Sequence, residues 1–93
     1  MGANTGQNAP EYMDSIALHI LSPEGTLVEA TAEVVTLPGI VGPFQVLKDH
    51  AALITVLEKG EIRWRTEGRE ERLAIREGFV EVRNNRVTAC VEV

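Results

Sequence analysis

The sequence predicts an all-β domain of about eight to ten short antiparallel strands in a flattened β-sandwich or barrel. Three observations predict it. Apolar residues alternate with period two through most of the chain after Asp14. Turn signals built from Gly, Pro and Asn recur at short spacing between those runs. No segment of about ten residues or more sustains the 3.6-residue period of an amphipathic helix.

Residues 1–14 are polar and carry Pro10. They read as a disordered leader, with Tyr12 and Met13 within reach of a domain over 15–93. Ile16, Leu18 and Ile20 then share one face of a strand, opposite Ala17, His19 and Leu21. Ser22-Pro23-Glu24-Gly25 is a turn, with proline fixing φ and glycine free to take φ > 0. A long alternation follows, Val28, Ala30, Ala32 and Val34 against Glu29, Thr31 and Glu33, and it predicts one strand. Leu37 to Pro43 is a loop, because Pro38 and Pro43 remove the donors a central strand needs.

Phe44–Leu47 and Ala51–Leu57 read as two short strands joined by Lys48-Asp49-His50, and Glu58-Lys59-Gly60 turns the chain again. Glu61 to Arg65 alternates cleanly and sends Ile62 and Trp64 inward. Thr66-Glu67-Gly68-Arg69 closes a hairpin whose return strand carries Leu73 and Ile75. Val80 and Val82 follow Gly78. Asn84-Asn85 predicts a tight two-residue hairpin, since Asn tolerates the left-handed conformation of a type I′ turn. Val87, Ala89, Val91 and Val93 form the closing strand.

The 93 residues suffice for one domain, and with 44% hydrophobic residues a core can form without a disulfide, which the single cysteine, Cys90, could not supply within the chain. The net charge of −5 and the pI near 4.9 argue against nucleic acid, whose binders concentrate basic residues on one face. The longest largely apolar stretch, Ala51 to Leu57, falls far short of the ~20 residues that span a bilayer as a helix. The first residues lack the basic and apolar regions of a secretory signal.

Catalytic motifs are missing: there is no Gly-x-Ser-x-Gly, no Walker loop and no Gly-x-Gly-x-x-Gly. Asp49 and His50 could form a metal or acid–base pair, but neighbours on a strand point to opposite faces. Arg63, Arg65, Arg69, Arg72 and Arg76 are interleaved with Glu61, Glu67, Glu70, Glu71 and Glu77, a pattern of cross-strand ion pairs on a solvated hairpin. Cys90 reads as a buried or half-buried inert thiol. The loop around Ile40 and Val41 differs, since apolar side chains at a loop tip call for a partner or a packing reason. The expectation is a binding domain that is not an enzyme and holds no metal or cofactor.

A family resemblance sits on these residues. Leu18-His19-Ile20-Leu21-Ser22-Pro23-Glu24-Gly25 resembles the first strand and turn of the epsilon subunit of F-type ATP synthases. Leu37-Pro38-Gly39, then Gly42-Pro43-Phe44-Gln45-Val46-Leu47-Lys48-Asp49-His50-Ala51-Ala52-Leu53-Ile54, resembles that family's next landmark. Gln45, Lys48-Asp49 and Ala52 stand where the family pattern has Gly, Pro-Gly and Pro. Glu58-Lys59-Gly60-Glu61-Ile62, Gly78-Phe79-Val80-Glu81-Val82 and Asn85-Arg86-Val87-Thr88 follow in family order. The resemblance covers about residues 16–93.

The resemblance implies a central-stalk rotor subunit that links the gamma subunit to the c-ring and couples proton or sodium flow to ATP synthesis. By position it implies gamma contacts at Ser22, His50 and Thr55, and c-ring contacts at Ile40, Val41, Gly42, Pro43 and Phe44. It places the chain, through the complex, on the cytoplasmic face of the plasma membrane. Only the sandwich is matched, so no C-terminal helical hairpin is expected, and with it no nucleotide binding. The alternative is an unrelated β-sandwich module that binds a peptide or sugar.

Overall fold

A computed structural model describes residues 15–93, which form nine β-strands and no helix. The leader expected over 1–14 lies outside the described residues. β1 (Ile16–Ser22) buries Ile16, Leu18 and Ile20 as the alternation requires. It pairs antiparallel with β2 (Gly25–Ala32) across the Pro23-Glu24 turn.

The predicted long strand over Val28–Val34 breaks at Glu33. The chain bends there, the Glu33 N–H donates to the Arg65 carbonyl at 2.8 Å, and β3 (Val34–Leu37) enters the other sheet. The bend shifts the parity of β3 relative to β2. Ala32 stays inside, but Val34 faces outward, while Val35 and Leu37 are buried. Leu37 therefore ends a strand rather than opening a loop.

β4 (Phe44–Val46) pairs with β3 and stops before Leu47, which is exposed. The next strand is shorter than predicted: β5 spans Leu53–Leu57 and leaves Ala51 and Ala52 in the crossover. β6 (Gly60–Thr66) and β7 (Arg69–Ile75) form a hairpin whose turn residues Glu67 and Gly68 both take positive φ, 52° and 79°. β8 (Glu77–Arg83) and β9 (Arg86–Glu92) form another, with Asn84 and Asn85 at φ 53° and 59°, the left-handed pair predicted for a type I′ turn.

The strands make a five-stranded sheet in the order β2-β1-β9-β8-β5 and a four-stranded sheet in the order β4-β3-β6-β7. One junction departs from the antiparallel expectation: β1 and β9 pair in parallel at the middle of the larger sheet. Such a pairing needs a long connection, and the whole of the intervening chain supplies it. The inner faces meet in one core. Ile16, Leu18, Ile20, Val80, Val82, Val87 and Leu57 come from the larger sheet; Val35, Leu37, Val46, Ile62, Trp64 and Ile75 come from the smaller. Burial of each aliphatic side chain contributes about 1.5–3 kcal/mol, which lets a small domain fold without a covalent staple.

Candidate docking surfaces

The outer faces of the two sheets differ in chemistry. On the four-stranded sheet Arg63 pairs with Glu70 at 3.6 Å and Arg72 with Glu61 at 3.8 Å, while the Gln45 amide donates to Thr36 Oγ1 at 3.5 Å. The two Arg–Glu pairs are diagonal cross-strand pairs of the kind that the interleaved Arg and Glu predicted. Being exposed, each contributes roughly 0.2–1 kcal/mol. That face is largely polar.

The outer face of the five-stranded sheet is mixed: His19 lies 3.3 Å from Glu29 and Arg83 3.6 Å from Glu81, but an apolar row runs beside these pairs. Register places Val56 of β5 beside Phe79 of β8, Phe79 beside Cys90 of β9, and Cys90 beside Leu21 of β1, so one apolar row crosses four strands on the outer face. Val56 and Phe79 are each 52% exposed, and Ile54, one turn of the pleat away, is 73% exposed. Ile40 extends the row from the loop, held by its N–H bond to the Val56 carbonyl at 3.0 Å. The row borders a shallow concavity of ≈ 800 Å³ whose rim carries Lys59, Arg76, Glu58, Glu77 and Glu92.

The loop between β3 and β4 lies at the same end of the sandwich. Gly42 N–H closes on the Gly39 carbonyl at 2.9 Å, which makes Ile40 and Val41 the central pair of a tight turn. Central turn residues have no inward side to occupy, and Val41 is 94% exposed. Gly42 completes the turn at φ 148°, a backbone state that a side chain disfavours. The Glu58 N–H to Pro38 carbonyl bond, 2.9 Å, ties the loop to the β5–β6 connection. Pro43 is exposed, whereas Phe44 is half-buried, packed on the core with its ring over Gly39.

The residues expected at the gamma contact do not form one cluster. β1, β5 and β9 run in the same direction through the larger sheet, so Ser22, at the end of β1, and His50, before the start of β5, lie at opposite ends. Ser22 sits at the loop end beside Pro23 and Ile40. Its hydroxyl is used in its own turn, accepting from the Glu24 N–H at 3.2 Å and lying 3.3 Å from the Gly25 carbonyl. The His50 ring donates from Nδ1 to the Ala51 carbonyl at 2.7 Å. Thr55 is half-buried on the inner side of β5 opposite Val80, not on the outer face.

Asp49 and His50 do not converge, since the Asp49 carboxylate turns to Asn85. Among the described residues no three His, Cys, Asp or Glu side chains gather to hold a metal. Sequence reasoning missed the row of Leu21, Val56, Phe79 and Cys90. A signal was present, because Leu53 to Leu57 and Phe79-Val80 are apolar on both parities of a strand, the pattern of a strand covered on both sides.

A two-sheet sandwich that exposes an apolar sheet face and an apolar turn has the features of a protein-contact surface. The sequence matches the family described as ATP synthase, delta/epsilon chain, β-sandwich domain over residues 15–93, and the chain belongs to that family. The ATP synthase epsilon chain of Desulfitobacterium hafniense is 43% identical over 78 residues, 84% of this chain and 59% of that relative. The chain thus spans about three-fifths of the relative it matches. A chain from a structure of the Euglena gracilis mitochondrial ATP synthase that includes the c-ring superposes with a TM-score of 0.78 at 21% identity, covering 94% of this chain and 54% of that one. A chain from the central stalk and c-ring of the Tetrahymena thermophila enzyme superposes at 0.67 with 15% identity, covering 83% and 63%. At those identities the two structures share the fold.

Proposed function

We propose that this chain is a non-catalytic rotor subunit of an ion-driven F-type ATP synthase, joining the gamma subunit to the c-ring at the cytoplasmic face of the plasma membrane. The observation that carries the reading is the apolar row of the larger sheet, which lies uncovered on the outer face and runs to an exposed turn, whereas Arg–Glu pairs cross the outer face of the smaller sheet. Family membership supplies the assembly in which such a face is covered. The apolar row with Ile54 is the gamma-facing surface, and Ile40 and Val41 are the ring-facing tip. The close-packed core gives both contacts a rigid frame.

Recovery of gamma and c subunits from solubilised membranes by the tagged chain tests this, and failure to recover either sinks it. Val41→Asp is expected to weaken ring recovery roughly tenfold or more, since it desolvates a charge at the contact. Thermal unfolding should stay within about 0.5 kcal/mol of wild type, because the site contributes almost nothing to the core. Phe79→Glu is expected to act on gamma recovery instead and to spare the ring; equal loss of both would merge the two surfaces into one.

A further inference from the structure

We infer that Asp49 and Asn85 form a latch that fixes the crossover into β5 and presets the edge of the apolar docking face. The inference rests on the reading that this face meets gamma. The crossover from β4 to β5, residues 47–52, carries the chain from one sheet to the other and delivers it into an edge strand. β5 pairs along its length with β8, and its other edge is tied only near its end, by the Ile40 N–H bond to the Val56 carbonyl and the Gly39–Leu57 bridge. The position of Ile54, at the start of the strand, therefore depends on how the crossover enters.

Within it Asp49 adopts φ 67°, a conformation that costs a residue with a Cβ. Two bonds to Asn85, at the far hairpin turn, fall on that residue. The Asp49 N–H donates to Asn85 Oδ1 at 2.6 Å, and Asn85 Nδ2 donates back to Asp49 Oδ1 at 3.2 Å. The left-handed state is thereby the one in which both groups are satisfied. The next amide, His50 N–H, then closes on the Leu47 carbonyl at 3.2 Å. Without the latch the crossover samples other paths, and a partner must select the fraction that places β5 correctly.

Asn85→Gly tests this cleanly, because glycine takes φ 59° at the turn without strain and removes only the carboxamide. Affinity for the purified cognate gamma subunit is expected to fall about three- to tenfold, the factor that one or two lost hydrogen bonds correspond to. In an Asp49→Gly background the same change is expected to cost less than half as much, since the bond from Asn85 Nδ2 to the Asp49 carboxylate is already gone and glycine takes φ 67° without strain. Hydrogen exchange of the His50 amide in the isolated chain should accelerate in Asn85→Gly by a similar factor. Wild-type affinity in Asn85→Gly, or an equal loss in both backgrounds, overturns the inference. If the wild-type chain fails to bind gamma, the rotor reading falls instead. The exchange measurement then decides the latch, and an unchanged His50 rate removes it.

Discussion

Replacing Trp64 by alanine is expected to lower the unfolding free energy by about 3–5 kcal/mol, the cost of emptying a large aromatic site in a packed core. The indole is 7% exposed on the inner face of β6, facing Val35 of β3 and Glu71 of β7 in register. No collapse of the neighbours can refill it without parting the two sheets. A domain of this size has about 5–15 kcal/mol in all, so this one substitution removes a large share. The thermal midpoint should drop by more than about 12 °C. Because Trp64 is the only tryptophan, the comparison needs far-ultraviolet circular dichroism rather than intrinsic fluorescence. A change within about half a kcal/mol would place the ring outside the core.

Gly78→Ala is expected to be nearly as damaging, at about 3 kcal/mol, the upper end of ordinary overpacking. Gly78 lies within β8, opposite Val91 of β9 and Leu57 of β5. A methyl group there would stand 2.5 Å from the Cys90 carbonyl oxygen and 3.0 Å from Val91 Cα. Both are backbone atoms, so no rotamer change relieves the contact; β8 and β9 must separate. Urea denaturation measures the loss, and a cost under about half a kcal/mol would mean that the strands open freely there.

Much of this fold was legible because its strands obey local rules. Ile16, Leu18 and Ile20, then Ile62 and Trp64, are buried as period two requires, and Asn84-Asn85 makes the turn its chemistry predicts. What escaped depends on pairing between distant strands. Glu33 looks like one more polar position in an alternation, and only the bond from its N–H to Arg65 reveals that the chain has changed sheets. The parallel pairing of β1 with β9 leaves no trace in the periodicity of either strand. The apolar row is hidden for the same reason. Leu21, Cys90, Phe79 and Val56 are single outward residues on four strands, and register alone makes them neighbours. Ile40 and Val41 were legible as an exposed loop tip because glycine and proline define it locally. Asp49 stood out in the sequence as a neighbour of His50 and as an unexpected residue in a resembling motif, while its bond to Asn85 needed the fold.

The parallel pair at the centre of the larger sheet has a mechanical consequence. Its five register pairs run from Ala17–Arg86 to Leu21–Cys90, with β1 entered at Ile16 and β9 left at Glu92. Those two points are at opposite ends of the sheet. Tension applied between them pulls the strands past one another lengthwise, in shear, and strains all the rungs together. An antiparallel hairpin such as β8–β9, pulled from its open end, would instead unzip one rung at a time. Each hydrogen bond contributes little alone, about 0.5–1.5 kcal/mol. Loaded jointly, the rungs resist a pull between these two points together.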